Sequence, residues 1–313
     1  MAQSRRPAPA GVPPVGRTVG PTLKTMSTRP SWLKVRLPGG DNYAEVRRIL
    51  RAHKLNTICE DALCPNIAEC WGKHRTATFM ILGDICTRAC AFCAVTSGRP
   101  TEYDLMEPER VAAAIADLRL KHAVITSVDR DDLADGGASI FAETVRQIRA
   151  GDSHVKVELL TPDFQGSVRA VRTIIEAGPD IFSHNIETVR RLYPSIRFKS
   201  DYTRSFALLK AGKKMDPAVF IKTGIMVGLG EEKDEIVELM GDAVEAGVDI
   251  FTIGQYLRPS PKHAEIQRYY HPDEFSELRE IGRGLGLRWV FSGPLVRSSY
   301  HAEDVFDQMM SAR

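Results

Sequence analysis

The chain has 313 residues, of which 43% are hydrophobic, and a formal net charge of +2. This length and apolar content suffice for the core of a globular enzyme, and a charge so close to zero gives no reason to expect nucleic acid as the main partner. No apolar run approaches the length of a transmembrane helix, and no apolar stretch follows Met1, so we expect neither membrane insertion nor secretion but a reducing, cytoplasmic compartment.

Residues 1–40 are basic, rich in proline and free of acidic side chains. Such a composition cannot bury enough apolar surface to fold alone, so we predict a flexible tail that begins to dock near Trp32 and Leu33. Transit peptides for organelles are also rich in arginine and poor in acidic residues. Because the repeated prolines oppose the amphipathic helix of such a peptide, organellar import is the minor alternative.

A helical pattern follows from Asp41 to about Leu55, and a loop-rich segment then runs to His74. After it, apolar strand-like runs alternate with helical patterns. The predicted strands are Thr78–Gly83, Ala123–Val128, Val155–Leu160, Asp180–Ile186, Phe220–Val227 and Asp249–Tyr256. The predicted helices between them are Pro108–Leu120, Ser139–Arg149, Gly166–Ala177, Asp201–Ala211, Glu232–Ala246 and Asp273–Gly284.

Six strand-then-helix units predict a parallel α/β architecture, which is either an open doubly wound sheet or an incomplete barrel. The count of units does not separate the two. A cysteine-rich loop directly after the first strand lies at the rim where barrel active sites are assembled, and this favours a partial (β/α)6 barrel. We predict a tail at 1–40, an N-terminal extension at 41–75, the barrel at 76–290 and a closing C-terminal segment at 291–313.

All six cysteines fall in one short stretch, where they form a C-x4-C-x5-C triad and a C-x3-C-x2-C triad. In chain order the members are Cys59, Cys64 and Cys70, then Cys86, Cys90 and Cys93. Three thiolates are one short of a closed four-ligand site, so each triad indicates a metal or cluster that keeps one position for a different ligand. Two such sites side by side indicate redox chemistry.

Other uses of the cysteines fit the pattern less well. A chain of this size needs no disulfides, and no cysteine follows Cys93. Zinc is disfavoured because no fourth ligand stands at the spacing of a zinc finger, and His74, the one close histidine, precedes the first strand. The spacing of electron-transfer ferredoxins is also absent. A non-catalytic iron–sulfur carrier or a zinc-stabilised binding module would have no use for a substrate-enclosing barrel.

The second triad resembles the C-x3-C-x-aromatic-C signature of the radical S-adenosylmethionine enzymes, with Phe92 at the aromatic position beside the adenine. The resemblance implies a [4Fe-4S] cluster whose fourth iron binds the amino and carboxylate groups of S-adenosylmethionine. It also implies further contacts with this molecule from residues at successive strand ends. These are Asp129, Asn185, Glu187, Gly224 and Gly228.

Two observations bear on those strand-end residues. Asp129 ends the run Thr126-Ser127-Val128-Asp129, which lacks the glycines of the superfamily's Gly-Gly-Glu motif. Taken singly, each residue could be a satisfied polar group in a packed strand or a glycine in a turn. Their shared position at the rim favours the functional interpretation, in which Asp129 accepts from the methionine ammonium and Glu187 from the ribose hydroxyls.

The first triad, together with Arg297-Ser298-Ser299-Tyr300, resembles the lipoyl synthase family over about residues 40 to 310. This resemblance implies an auxiliary [4Fe-4S] cluster on the first triad, with Ser299 as the ligand of its fourth iron. A hydroxyl oxygen is a harder and poorer ligand for iron than a thiolate, so the iron it caps should be lost most easily. Without the triad, turn or capping chemistry would explain both serines better.

The resemblance therefore implies a sulfurtransferase that places sulfur at C6 and C8 of an octanoyl group on a protein lysine. It implies two [4Fe-4S] clusters and two S-adenosylmethionine molecules for each lipoyl group formed. Sulfide comes from the auxiliary cluster, and radical chemistry is needed because the unactivated carbons offer no acidic proton. The nearest alternative is another sulfur-inserting radical enzyme such as biotin synthase, which lacks the first triad.

The partners implied by the resemblance are octanoylated lipoyl domains of 2-oxoacid dehydrogenase complexes and the glycine-cleavage H protein. An electron donor such as ferredoxin or flavodoxin and an iron–sulfur cluster carrier are also implied. Lipoyl domains present acidic surfaces, so basic residues near the front of the chain are candidates for docking them. These are Arg5, Arg6, Arg17, Lys34 and Arg36.

Overall fold

The computed structural model describes residues 29–299, and an eight-stranded sheet forms the centre of that range. The strands in chain order are β1 (Asn56–Thr57), β2 (Thr78–Ile81), β3 (Ile85–Cys86), β4 (Thr96–Ser97), β5 (His122–Ser127), β6 (Lys156–Leu160), β7 (Ile181–Ser183), β8 (Phe220–Val227), β9 (Ile250–Gln255) and β10 (Trp289–Gly293). The sheet has the order β1-β2-β5-β6-β7-β8-β9-β10, while β3 and β4 form a separate parallel pair. Only the β1–β2 pairing within the large sheet is antiparallel.

Helices alternate with the parallel strands, as the sequence predicts. In chain order they are α1 (Asp41–Ala52), α2 (Ile58–Asp61), α3 (Ile67–Glu69), α4 (Glu107–Leu118), α5 (Ala138–Gly151), α6 (Val168–Glu176), α7 (Tyr193–Ile196), α8 (Tyr202–Met215), α9 (Lys233–Glu245) and α10 (Pro272–Leu285). The six predicted strand–helix units run from β2–α4 to β9–α10. Because the two outermost strands, β1 and β10, do not pair with each other, the sheet is an incomplete barrel.

The structure adds a seventh parallel strand, β10, which pairs with β9 and which the sequence analysis does not predict. Four of its five residues are only half-buried, because it lies at the edge of the sheet. An edge strand lacks the continuous apolar run that marks a strand buried on both faces. β10 spans the predicted boundary at residue 291, so the C-terminal segment continues directly from the sheet.

The segment before α1 packs on the barrel at Trp32 and Leu33. The Leu33 side chain is only 1% exposed, and the Trp32 ring stands edge-on to His271 with the ring centroids 5.0 Å apart. His271 is the N-cap of α10. These contacts place Val35, which follows directly, at the mouth of the central cavity described below. Among residues 29–299, no helix is long and apolar enough to cross a membrane.

A buried ion pair joins β6 and β8. Lys222 on β8 donates to Glu158 on β6 over 2.9 Å, and both side chains are at most 2% exposed. Burial raises the pKa of Glu158, and Lys222 opposes this shift. The pair therefore holds a charge that the interior would otherwise disfavour.

Replacing Lys222 alone should destabilise the fold strongly. We expect Lys222→Met to lower the free energy of unfolding by about 3–5 kcal/mol, because it leaves the Glu158 carboxylate buried without its cation. The double variant Lys222→Met/Glu158→Gln should recover most of the loss, since it removes both charges. Urea denaturation of the apoprotein measures the three proteins, and equal stability of the single and double variants would contradict the expectation.

Candidate active site

A cavity of about 550 Å³ opens at the carboxyl ends of the parallel strands. Ten of the thirteen site residues that the sequence predicts line this cavity. These ten are Cys64, Cys86, Cys90, Phe92, Cys93, Asp129, Asn185, Glu187, Gly224 and Ser299. Residues from both ends of the described chain thus face one space, although nearly 240 positions separate Cys64 from Ser299 in the sequence.

The other three nominated residues do not line this cavity. Cys59 is buried behind Cys64, and Cys70 lies close to both. Gly228 occupies a tight turn with φ +101°, where an added Cβ would lie 2.2 Å from the side-chain nitrogen Nε2 of Gln255. Its own amide donates to Glu231. Gly228 is therefore explained by the turn that follows β8, and the structure does not bring it to the cavity.

The second triad lies on the loop between β3 and β4, which is fastened from several sides. Thr87 donates from its amide and its hydroxyl to the Asp129 carbonyl oxygen, at 2.9 Å each. The Ala91 amide donates to Ile196, the last residue of α7. His263 contacts the Cys93 carbonyl oxygen over 3.0 Å. The three thiols are thereby held at the rim by elements that follow three different strands.

Arg88, between the first two cysteines of this triad, is an ionic anchor of the loop. Its guanidinium is 1% exposed and makes a bidentate contact with Asp131 at 2.8 and 2.7 Å. It also donates to Asp163 over 2.6 Å and lies 3.4 Å from Asp129. One side chain thus joins the cysteine loop to the segments that follow β5 and β6. Arg88 is not among the site residues that the sequence predicts.

The first triad is formed by short turns rather than by long elements. Thr57 caps α2 by accepting from the Glu60 amide, and this places Cys59 within that helix. Cys70 begins a π-helical turn that ends at His74. Between them, the Cys64 amide donates to the Cys59 carbonyl oxygen over 3.0 Å. These turns gather three cysteines that a regular helix of this length would point in different directions.

The electrostatics of both triads suit bound metal better than free thiolates. All six cysteines are free of disulfides. Burial, followed by the neighbouring Cys64, raises the pKa of Cys59 to about 12, and burial raises that of Cys86 to about 11. Because a cation would stabilise the crowded thiolates, the donor set fits iron–sulfur clusters. No three His, Cys, Asp or Glu side chains in residues 29–299 converge on a point that could hold a single metal ion.

Several polar groups in the cavity suit a charged nucleoside ligand. The Asn185 Oδ1 and the Ser127 Oγ are buried without a hydrogen-bond partner among the described residues. Glu187 adopts a left-handed conformation with φ +68°, which is uncommon outside glycine, and burial raises the pKa of its carboxyl group. Unsatisfied acceptors of this kind are costly unless a ligand donates to them. This geometry fits hydroxyl and ammonium donors.

Arg197 is a cavity residue that the sequence analysis missed. It follows α7, and its guanidinium donates to the Tyr193 hydroxyl over 3.0 Å and to His184 Nε2 over 3.2 Å. Burial lowers the pKa of His184 to about 3, so its ring is neutral and Nε2 can accept. Arg197 lines the cavity beside Cys90 and Glu187 and supplies a buried positive charge there. No motif marked it, because its role depends on how α7 folds back over the rim.

Two family models match the chain. One describes the Radical SAM superfamily and matches residues 80–243. The other describes the N-terminal domain of lipoyl synthase of the Radical SAM family and matches residues 21–64. The first covers the second triad and the strands from β5 to β8, and the second covers two cysteines of the first triad.

Curated relatives match over most of their length. A protein of Rubrobacter xylanophilus named lipoyl synthase is 56% identical over 276 residues, which cover 88% of this chain and 86% of that protein. Proteins of the same name from Bacillus pumilus and Bacillus subtilis are 53% and 52% identical, and the matches cover 91% of this chain and 96% of each relative.

Solved structures of low sequence identity share the fold. Methylornithine synthase aligns with a TM-score of 0.52 at 12% identity, over 68% of this chain and 70% of that one. Streptococcus suis SuiB bound to S-adenosylmethionine aligns with a TM-score of 0.51 at 14% identity, over 81% of this chain and 56% of that one. These similarities support the partial barrel.

Proposed function

The chain belongs to the lipoyl synthase family within the radical S-adenosylmethionine superfamily, and from this premise we propose that it inserts two sulfur atoms into a protein-bound octanoyl-lysine. The observation that carries the proposal is the meeting of Cys64, Ser299 and the second triad around one cavity. A sulfur inserter needs a radical source and a sulfur source that reach the same carbon chain. Other radical enzymes need only the first.

We propose that each triad holds one [4Fe-4S] cluster. Cys86, Cys90 and Cys93 would hold the cluster that binds S-adenosylmethionine, and Ser299 would complete the ligands that the first triad provides. When bound, the two clusters and S-adenosylmethionine supply a carbon-centred radical and sulfide. The thiol burial described above supports this assignment, because metal-free thiolates are disfavoured in both places.

The chain's own side chains would orient S-adenosylmethionine. We propose that Asp129, 3.7 Å from the Cys86 sulfur, accepts from the methionine ammonium. Asn185 and Glu187 would accept from the ribose hydroxyls, and Arg197 would pair with the carboxylate. A buried guanidinium suits a carboxylate because it can donate two parallel hydrogen bonds. Phe92 and Gly224, which also line the cavity, would contact the adenine.

An apolar wall of the cavity suits an alkyl chain. It consists of side chains from the segment before α1, from the first-triad segment and from the start of the barrel, namely Val35, Ile58, Leu63, Met80 and Val95. Aliphatic groups exclude water and pack favourably against an alkyl chain. We propose that the octanoyl group lies along this wall, between the two triads.

The partners are further proposals. Lys34 and Arg36 are exposed near the mouth and would contact an acidic lipoyl domain. Arg5, Arg6, Arg17 and Tyr300 lie outside the described residues. Octanoylated lipoyl domains of 2-oxoacid dehydrogenases and the glycine-cleavage H protein would be the substrates, with ferredoxin or flavodoxin as donor and an iron–sulfur carrier for repair. Six unpaired thiols support a reducing, cytoplasmic location.

One anaerobic assay tests the proposed function. The reconstituted protein is incubated with dithionite, S-adenosylmethionine and an octanoyl-lysine peptide, and nucleoside and peptide are followed by mass spectrometry. We expect 5′-deoxyadenosine and a dithiolated peptide, with iron and sulfide sufficient for two clusters. Nucleoside without sulfur insertion would favour a different radical enzyme, and far too little iron would contradict the two-cluster assignment.

Ser299 can be tested against its neighbour. We expect Ser299→Ala to reduce sulfur insertion by about a hundredfold, the upper end of the effect of weakening a metal site, while 5′-deoxyadenosine is still formed. Ser298→Ala is the matched control, because Ser298 also lines the cavity and its replacement removes an equivalent hydroxyl group. Single-turnover thiolation measures both variants. If Ser298→Ala has the larger effect, the ligand has been assigned to the wrong serine.

A further inference from the structure

A side-chain hydrogen bond joins the first triad to the turn that follows β10. Asn66, between Cys64 and Cys70, donates from Nδ2 to the Leu295 carbonyl oxygen over 2.7 Å, across 229 positions of sequence. The Asn66 side chain is buried, with 4% of the residue exposed. A bond from Val296 N to the Gly293 carbonyl oxygen closes the turn at 3.1 Å. We call residues 293–296 the latch turn.

The latch turn also packs against β9. A Cβ added at Gly254 would lie 2.0 Å from the Val296 carbonyl oxygen, so only glycine permits this approach. The next residue, Gln255, donates from its amide to the Pro294 carbonyl oxygen over 3.3 Å. The turn is therefore held between the barrel and the first-triad segment.

This double attachment limits where Ser299 can lie. Four residues of extended chain reach at most about 14 Å, so fixing Leu295 keeps the backbone of Ser299 within about that distance of the first-triad segment's contact with the turn. The carbonyl oxygen of Asn66 also accepts from the Cys70 amide over 2.9 Å. One residue thus sets the position of Cys70 through its backbone and that of the serine segment through its side chain.

We propose that Asn66 is a positioning residue that, with Gly254 as the seat of the latch turn, holds Ser299 within reach of the first triad. The role rests on the proposed function, in which Ser299 is the fourth ligand of the auxiliary cluster. Asn66 itself need not touch the iron. It keeps the serine segment attached to the cysteines when a ligand as weak as a hydroxyl could not hold the segment alone.

The attachment is tested first on the full-length apoprotein by hydrogen–deuterium exchange. We expect Asn66→Ala to speed exchange of the amides at 295–299 about fivefold, the ratio that one ordinary hydrogen bond sustains. Asn42→Ala is the matched control, since Asn42 donates in the same way to the Gly72 carbonyl oxygen over 2.9 Å but lies away from the latch turn. Unchanged exchange in Asn66→Ala, or equal change in both variants, overturns the proposal.

Two further variants keep the test decisive. Asn66→Asp keeps the shape of the side chain but removes the Nδ2 group that donates to Leu295. This variant is used in place of Asn66→Ala if the alanine variant folds poorly. Gly254→Ala places a Cβ against the Val296 carbonyl oxygen of the latch turn, and we expect the same faster exchange of the amides at 295–299. Normal exchange in Gly254→Ala would show that the seat on β9 is not required, and would overturn that half of the proposal.

The position of Ser299 is then tested on the reconstituted protein by Mössbauer spectroscopy. If one iron of the auxiliary cluster has an oxygen ligand, its distinct signal should be lost in Ser299→Ala and should fall by up to about fivefold in Asn66→Ala. A normal signal in Ser299→Ala would refute the serine ligand of the proposed function. A normal signal in Asn66→Ala, when Ser299→Ala has lost it, would refute the positioning role alone.

Discussion

Alanine in place of Cys90 is expected to abolish cleavage of S-adenosylmethionine, whereas alanine in place of Cys64 is expected to abolish sulfur insertion and leave cleavage measurable. The two cysteines line the same cavity but belong to loops with separate supports. The Cys90 loop is tied to Asp129 and Ile196, and the Cys64 segment is tied to Leu295 through Asn66. Loss of one thiolate should therefore release one cluster and spare the other.

We expect the affected activity to fall at least a thousandfold in each variant, roughly the scale seen when an essential catalytic group is removed. Chromatography of 5′-deoxyadenosine measures cleavage, and mass spectrometry of the peptide measures insertion. Iron content is the internal control, because each variant should lose about half of the cluster iron. Equal loss of both activities in both variants would mean that the two sites do not function separately.

The sequence predicted the strands that lie in the middle of the sheet because their side chains are buried on both faces. In β8, seven of the eight residues are buried, and the apolar side chains at both ends of the strand make it recognisable in the sequence. β10 was missed for the opposite reason, since one face of an edge strand is open and its residues, including Ser292 and Gly293, resemble a turn.

Some residues of the site could likewise be predicted from the sequence, and others could not. Cysteine spacing is local, so both triads could be found from the sequence alone. The contacts that position them are not local: Arg88 reaches Asp163 across 75 positions, and Asn66 reaches Leu295 across 229. An asparagine or arginine in a loop has many possible partners, and no period or spacing selects one. Gly228, which the resemblance places beside the cofactor, has a local reason for being glycine as well, because it occupies a tight turn with a positive φ.

Arg88 is the residue outside the cysteines whose replacement should do the most harm. Its guanidinium lies among Asp129, Asp131 and Asp163, and the Asp163 side chain is 0% exposed. Without Arg88, Asp163 keeps an ion pair with Arg204 and a hydrogen bond from the Gln165 amide. We expect Arg88→Ala to lower the free energy of unfolding of the apoprotein by about 3–5 kcal/mol, because three clustered carboxylates lose the buried cation that they share.

The same change should alter the response to acid. Burial alone would raise the pKa of Asp163, but hydrogen bonds from Arg88 outweigh this and hold the pKa well below its usual range. A carboxyl group whose pKa is lower in the folded than in the unfolded protein stabilises the native state at pH values above its unfolded pKa of about 3.9. That stability is lost as the pH falls through the pKa of the folded state. In Arg88→Ala the folded pKa rises, so acid unfolding should begin at a higher pH. Circular dichroism during acid titration measures this midpoint.

Arg88→Lys separates the charge from the geometry of the guanidinium. Lysine keeps a cation but cannot make the bidentate contact with Asp131 while it also reaches Asp163, so we expect it to restore acid stability more fully than cleavage of S-adenosylmethionine. Asp129, which is proposed to hold the methionine ammonium, should then be displaced relative to Cys86. A changed electron paramagnetic resonance signal of the reduced cluster on addition of S-adenosylmethionine would report that displacement. If Arg88→Lys restores cleavage and acid stability equally, Arg88 contributes only its charge, and the bidentate contact does not position the loop.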